Sequence, residues 1–179
     1  MSRPVFTIGH STRSLAELAE LLQARGVTRL VDVRTIPRSR HNPQFDREAL
    51  PDSLAPYGIA YEHMPGLGGL RHARADSRNT GWENASFRGY ADYMLSPEFA
   101  VSLQKLIERS QVETVAIMCA EAVPWRCHRR MIADALLAQG LQVFHIYGGK
   151  RVEAHTLTPW AELDGTVVAY PGPVVGWNS

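Results

Sequence analysis

Apolar and polar residues follow two rhythms along this chain, and the rhythm switches repeatedly. Short apolar runs at Val5–Ile8, Arg29–Val33, Ile59–Met64, Val115–Met118 and Gln142–Tyr147 predict five strands. Between them the period becomes helical. Leu15, Leu18, Leu21 and Leu22 follow Ser14, which forms a capping-box pattern with Glu17, and Gly26 ends this helix. Asp46 is placed to cap a short helix reaching Tyr57, disturbed by Pro51 and closed by Gly58. Phe87–Leu95 predicts a further helix. Ser96, with Pro97 at the first helical position, starts another that runs to Arg109, and His128–Gln139 predicts the last, stopped by Gly140.

The strand–helix repetition predicts an α/β fold in three layers, with a mainly parallel five-stranded sheet and helices on both faces. Residues 1–149 are expected to form this single domain. Gly148 and Gly149 break the fifth strand, and residues 150–179 read as a C-terminal extension packed on the same domain. Within it, Pro159–Leu163 suggests one or two helical turns, Thr166–Tyr170 an edge strand, and the last residues a tail packed by Trp177. Two connections stand out. Arg34–Phe45 is a proline-containing loop with Arg34, Arg38, Arg40, His41 and no acidic residue. Pro65–Ser86 is long and irregular, a kind of connection that usually carries function.

Composition narrows the picture modestly. Hydrophobic residues make up 45% and charged residues 21% of 179, as in an ordered globular protein. The absence of a leader pattern or a long apolar run leads to an expectation of a cytoplasmic protein that is not membrane-bound. A net charge of +1 sets up no global field for nucleic acid. Lys105 and Lys150 are the only lysines among 19 Lys and Arg, and arginine suits bidentate capture of phosphate or carboxylate.

Parallel sheets place their sites beyond the carboxyl ends of their strands. That rule gathers His10 and Ser11, Arg34 and Arg38, His63 with the Gly68-Gly69 turn, and the loop from Cys119 to His128, with His145 at the end of the fifth strand. Cys119 is a candidate nucleophile or redox thiol if a helix N-terminus and nearby arginines favour its thiolate; the structural alternative is a small buried hydrophobe. Glu121 and His128 are candidates for proton transfer, and Cys127 is the second thiol. Arg126 and Arg129, with His10, Ser11, Arg34, Arg38, His63, Gly68 and Gly69, are candidates for binding an anion. Trp82, Phe87, Tyr90 and Trp125 are available either to stack on a base or to pack the core. A metal site at Cys119, Cys127, His128 and a histidine from another loop is a third alternative.

The segments IGHSTRS (Ile8 to Ser14), VDVRTIPRSRHNPQF (Val31 to Phe45), GIAYEHMPGLGG (Gly58 to Gly69), MCAEAVPWRCHRRMIADAL (Met118 to Leu136) and VFHI (Val143 to Ile146) resemble a bacterial and archaeal family, domain of unknown function 488. The resemblance runs from Phe6 to Ile146 and implies a single-domain, cytosolic, Rossmann-like α/β protein. Its motifs fall on His10, Ser11, Arg34, Pro37, Gly68, Gly69, Cys119, Glu121, Cys127, His128 and Arg129. It implies no activity and no cofactor. The residues themselves suggest a thiol-dependent hydrolase or transferase acting on a phosphate-bearing small molecule or nucleic acid. A non-catalytic nucleotide- or nucleic-acid-binding module is the alternative.

Overall fold

A computed structural model describes residues 3–172 of the chain. The strand β4, Val115–Cys119, shows how the layers arise. Side chains of a strand alternate between faces. Val115, Ile117 and Cys119 therefore enter one core, and Ala116 and Met118 enter another. The first core is completed by α3 (Ala85–Tyr93), α4 (Pro97–Val112) and α5 (Arg129–Ala138), the second by α1 (Leu15–Gln23) and α2 (Leu50–Leu54). With β1 (Val5–Gly9), β2 (Arg29–Asp32), β3 (Ala60–His63), β5 (Val143–Gly148) and β6 (Arg151–Ala154), β4 forms a six-stranded sheet in the order β3-β2-β4-β1-β5-β6. All neighbours are parallel except β5 and β6. In dinucleotide-binding sheets of order 3-2-1-4-5-6 the fourth strand lies beyond the first; here it lies between the first and second.

The sheet has one strand more than the five expected from the apolar runs. Gly148 (φ 154°) and Gly149 (φ 54°) do not end it but turn the chain into the antiparallel β5–β6 pair. Adjacent glycines supply the backbone freedom that a tight hairpin needs. Beyond it, Pro159–Leu163 forms no helical turn. Glu162–Asp164 (β7) and Val167–Ala169 (β8) form a separate two-stranded ribbon. The expected tail contact of Trp177 lies outside the described residues.

Local differences have local causes. The segment from Asp46 to Tyr57 is not one helix. With Pro51 and Pro56 within it, it holds only the short α2 and a 3-10 turn at Ala55–Tyr57, and a separate 3-10 turn at Pro43–Phe45 precedes it. Asp46 does not cap it with its side chain; the carboxylate accepts from the Ser39 backbone N–H at 2.8 Å. Ser14 and Ser96 do cap α1 and α4, accepting from Glu17 N and Phe99 N. The irregular segment before α3 is anchored by Asp92. Its carboxylate accepts from Arg74 N (2.8 Å), Ser77 Oγ (2.7 Å) and Asn79 Nδ2 (2.8 Å).

The C-terminal ribbon is tied to α5 and to this loop by Tyr170. Its ring is fully buried, its backbone N–H donates to Asn79 Oδ1 (2.9 Å), and its hydroxyl donates to Asp134 Oδ2 (2.7 Å). Replacing a buried aromatic leaves both a cavity and unpaired polar atoms. We expect Tyr170→Ala to lower the unfolding free energy by about 4 kcal/mol, measured by urea denaturation. A loss below about 1 kcal/mol would mean that the ribbon is not part of the cooperative fold.

Candidate functional site

The strand ends deliver the site. Past Gly9 and Cys119 the β1–β4 ladder continues, with His10 N donating to Cys119 O and Ser11 N to Ala120 O, each at 2.9 Å. The backbone N–H groups expected to offer an anion site at His10 and Ser11 are therefore already engaged. Ser11 takes φ 48°, unusual for a residue with a side chain. Gly9 allows the close approach. A Cβ there would lie 1.6 Å from the Glu121 carbonyl oxygen.

Between the β1, β2 and β4 loops opens a cleft of about 740 Å³. His10, Ser11, Arg34, Arg38, Gly69, Cys119, Glu121, Arg126, Cys127 and His128 all line it. His63, Gly68 and Arg129 do not. The His63 ring bonds to the Arg34 carbonyl (Nε2 to O, 2.7 Å). Gly68 leaves room for Thr35, whose Oγ1 would be 2.4 Å from an added Cβ. Gly69 does the same for His128, whose Nδ1 would be 2.5 Å away. These glycines admit the protein's own side chains.

Two arginines are buried around this cleft, in different electrostatic states. Arg34 forms a fork with Asp32, Nε to Oδ1 at 2.9 Å and Nη2 to Oδ2 at 2.7 Å, and Nη2 also donates to Phe45 O at 2.6 Å. Burial opposes its charge, but Asp32 outweighs burial and raises its pKa. Asp32 Oδ2 also accepts from Tyr61 Oη at 2.6 Å. Arg34 is thus already neutralised, which leaves the exposed Arg38 and Arg126 as the cations at the mouth. Its Nη1 faces His10 Nε2 at 3.3 Å. The His10 Nδ1–H donates to Ser11 O at 2.8 Å, and the ring stacks on Phe45 at 4.5 Å. Burial lowers the His10 pKa, so the ring is neutral with its lone pair toward Arg34.

Arg129 lies fully buried behind the cysteine loop, with no carboxylate partner among the described residues. Its Nη1 donates to Thr7 Oγ1 at 2.9 Å, and Nη2 donates to the carbonyls of Glu121 and Ala122, each at 3.0 Å. Its Nε has no hydrogen-bond acceptor in good geometry. Thr7 in turn meets His145 Nδ1 at 2.5 Å. An isolated buried charge costs several kcal/mol. Three hydrogen bonds to carbonyl and hydroxyl dipoles, at about 1.5–3 kcal/mol each, offset much of that. The positive field is left free to act on its neighbours.

The neighbours are the two thiols, both free and buried. Burial opposes ionisation of Cys119. The neighbouring Cys127 thiol, the Arg129 charge and the Glu121 backbone outweigh it, so the Cys119 pKa falls below that of an ordinary thiol; when protonated, Cys119 Sγ–H donates to Glu121 O at 3.6 Å. Burial first, and then the neighbouring Cys119, push the Cys127 pKa well up. Its sulfur also accepts the Arg129 backbone N–H at the start of α5 (3.4 Å) and faces His128 Nδ1 at 3.5 Å. His128 Nε2–H donates to Val33 O at 2.8 Å, which leaves Nδ1 as the acceptor. Burial holds the His128 pKa down to about 4, so this acceptor is present at neutral pH.

The geometry corrects several expectations. No group of three or more His, Cys, Asp or Glu side chains among the described residues is arranged to hold a metal ion. His128 is already committed to Val33 and Cys127 rather than to a fourth ligand. Trp82 and Tyr90 are core residues, Phe87 reaches the cleft wall, and the half-exposed Trp125 packs beside Tyr147 away from the cleft. Thr7 and Asp32 were missed. Each is a polar residue within an apolar strand, and a buried polar residue needs a partner.

A mainly parallel α/β sheet with a strand-end cleft over two thiols defines the class of protein. The chain belongs to the family described as "Domain of unknown function DUF488", which matches residues 14–136. That range holds Asp32, Arg34, both cysteines and Arg129, while β1, β5 and β6 lie outside it. No curated protein and no solved structure matches the chain. Among the described residues, no helix is long and apolar enough to cross a membrane.

Two outcomes are expected. Gly9→Ala should destabilise the protein by about 3 kcal/mol, because the Glu121 carbonyl cannot leave without releasing Arg129; an unchanged urea midpoint would contradict this packing. His128 (about 4) and His145 (about 3) lie below their ordinary 6.5, so the unfolded chain binds more protons as pH falls below about 6.5. The contribution of these two rings should be constant well above that pH and fall by roughly 2 kcal/mol per histidine by pH 5. Urea midpoints that do not move between about pH 7.5 and pH 5 would show that these rings can be protonated in place.

Proposed function

We propose that this protein is a thiol-dependent hydrolase or transferase in which Cys119 is the nucleophile and the substrate carries phosphate. The observation that carries the reading is the buried guanidinium of Arg129. Among the described residues it meets no carboxylate, and it lies where its charge stabilises the Cys119 thiolate. A nucleophilic thiol needs such a field. The neighbouring Cys127 thiol also favours the Cys119 thiolate, and its sulfur faces His128 Nδ1 as acceptor at 3.5 Å. Exposed Glu121 is the group positioned to exchange protons with a leaving group or water in the cleft. Arg38 and Arg126 at the mouth attract the anion, and the cleft volume suits a nucleotide-sized ligand.

The chemistry is an attack in two steps. The Cys119 sulfur forms a bond to the electrophilic centre as the leaving group departs with a proton from Glu121. Water or a second acceptor, giving its proton to the Glu121 carboxylate, then forms a bond to the same centre as the sulfur bond breaks, which restores the thiolate and the protonated Glu121. A cytoplasmic location and a Rossmann-like fold belong to the same proposal. Two adjacent free thiols suit a reducing compartment.

Iodoacetamide should alkylate Cys119 in the folded protein about tenfold faster than a free thiol at neutral pH, read by mass spectrometry of the Cys119 peptide. Alkylation only after unfolding would remove the catalytic reading. The alternative, a non-catalytic module for nucleotides or nucleic acid, would then stand if polyanion binding weakened steeply with added salt.

A further inference from the structure

Arg129 is the first member of a longer chain of buried groups that the proposed reaction does not yet use. Thr7 of β1 and His145 of β5 are paired in register, on the face covered by α5. Arginine can only donate, so Thr7 Oγ1 accepts from Arg129 Nη1. The Thr7 hydroxyl proton is then directed at His145 Nδ1, 2.5 Å away. His145 therefore carries its proton on Nε2 and donates it to His155 Nδ1 at 2.8 Å. His155 in turn carries its proton on Nε2 and donates to Asp134 Oδ1, also at 2.8 Å. Asp134 is fixed by the Thr158 backbone N–H (3.0 Å) and the Tyr170 hydroxyl (2.7 Å).

Every donor in this series points the same way, from guanidinium to carboxylate, and every member has a complementary partner. With both rings neutral, the direction follows from the two ends. An arginine has no lone pair to offer, and an ionised carboxylate has no proton. We infer that His145, His155 and Asp134 are positioning residues for Cys119: through Thr7 they hold the Arg129 guanidinium against the thiol pair. The inference rests on the reading of Cys119 as the nucleophile. It explains how an arginine with no local carboxylate is kept in place. Its counter-charge is Asp134, three side chains away, which orients it without neutralising the field at the sulfur.

The groups facing the two imidazoles are consistent with this direction. Arg129, Arg130 and Asp134 approach from α5, Tyr147 from β5, Glu153 from β6 and Tyr170 from beyond β8. Burial, His155 and the two arginines keep His145 neutral, as a donor–acceptor link must be. Both rings line a second cavity of about 210 Å³, at the β5–β6 side of the sheet.

The test follows iodoacetamide alkylation of Cys119 across about pH 5 to 9 in the full chain, with Thr7→Val, Thr7→Ser and His155→Gln compared after circular dichroism confirms folding. Thr7→Val and His155→Gln should alkylate about tenfold more slowly at neutral pH, with their profiles moved to higher pH. Thr7→Ser keeps the hydroxyl and should retain the native profile. Folded variants with the native profile would overturn the inference while leaving Cys119 as nucleophile. An inert Cys119 in the unaltered protein would instead remove the nucleophile reading, and the inference with it. If neither relay variant folds, side-chain nitrogen NMR of the native protein decides. Protons on Nε2 of both His145 and His155 support the relay, and a proton on His145 Nδ1 overturns it.

Discussion

The buried guanidinium of Arg129 is the interaction on which the other features of this protein depend. It joins Thr7 of the central strand β1 to the carbonyls of Glu121 and Ala122 in the cysteine loop, from the first residue of α5. A cation at a helix N-terminus is unfavourable against the helix dipole, and a buried cation without a carboxylate costs more still. Both penalties are borne at one position, beside two thiols. A structural role alone would be met by an apolar side chain of similar volume, which in buried settings is often no less stable. The arrangement is understandable when the charge acts on the sulfur.

Arg34 provides the internal contrast. It is buried on the same cleft, but its fork onto Asp32 makes a neutral pair, further tied to Phe45 and Tyr61. That pair stiffens the loop after β2 and leaves little field for a ligand. The two arginines divide the work by the partner each meets, a carboxylate in one case and only dipoles in the other. The same logic separates the thiols. Cys119 lies in the field of the guanidinium and its pKa is lowered, while burial and the neighbouring Cys119 push that of Cys127 up.

The site is also a consequence of close packing between backbone segments. Gly9 lets the Glu121 carbonyl pass, and that carbonyl is one of the acceptors that hold Arg129. Gly69 lets the His128 ring pass, and that ring faces Cys127. The glycines around the cleft therefore fix the positions of reactive groups at one remove, by making room for them.

Much was legible in the residues. Apolar runs located five strands, caps at Ser14 and Ser96 located two helix starts, and the strand-end rule gathered His10, Arg34, Cys119, Glu121 and His128 around a common cleft. These are local signals, or follow from one topological rule. The Gly148-Gly149 pair reads as a stop because sequence does not distinguish a strand that ends from one that turns back. The sixth strand was missed for that reason. Partner choice was not legible either. Nothing in the spacing of Thr7, Arg129, His145, His155 and Asp134 announces a chain of contacts, since those contacts span up to 138 positions and exist only once β1, β5 and α5 are assembled. The sequence by itself determined the first five strands and the helices α1, α3, α4 and α5, and that a thiol would stand at a strand end, because those depend on local periodicity and chain order. Only the tertiary structure decided that Arg34 would be neutralised and Arg129 would not, because a buried charge is defined by what surrounds it in space.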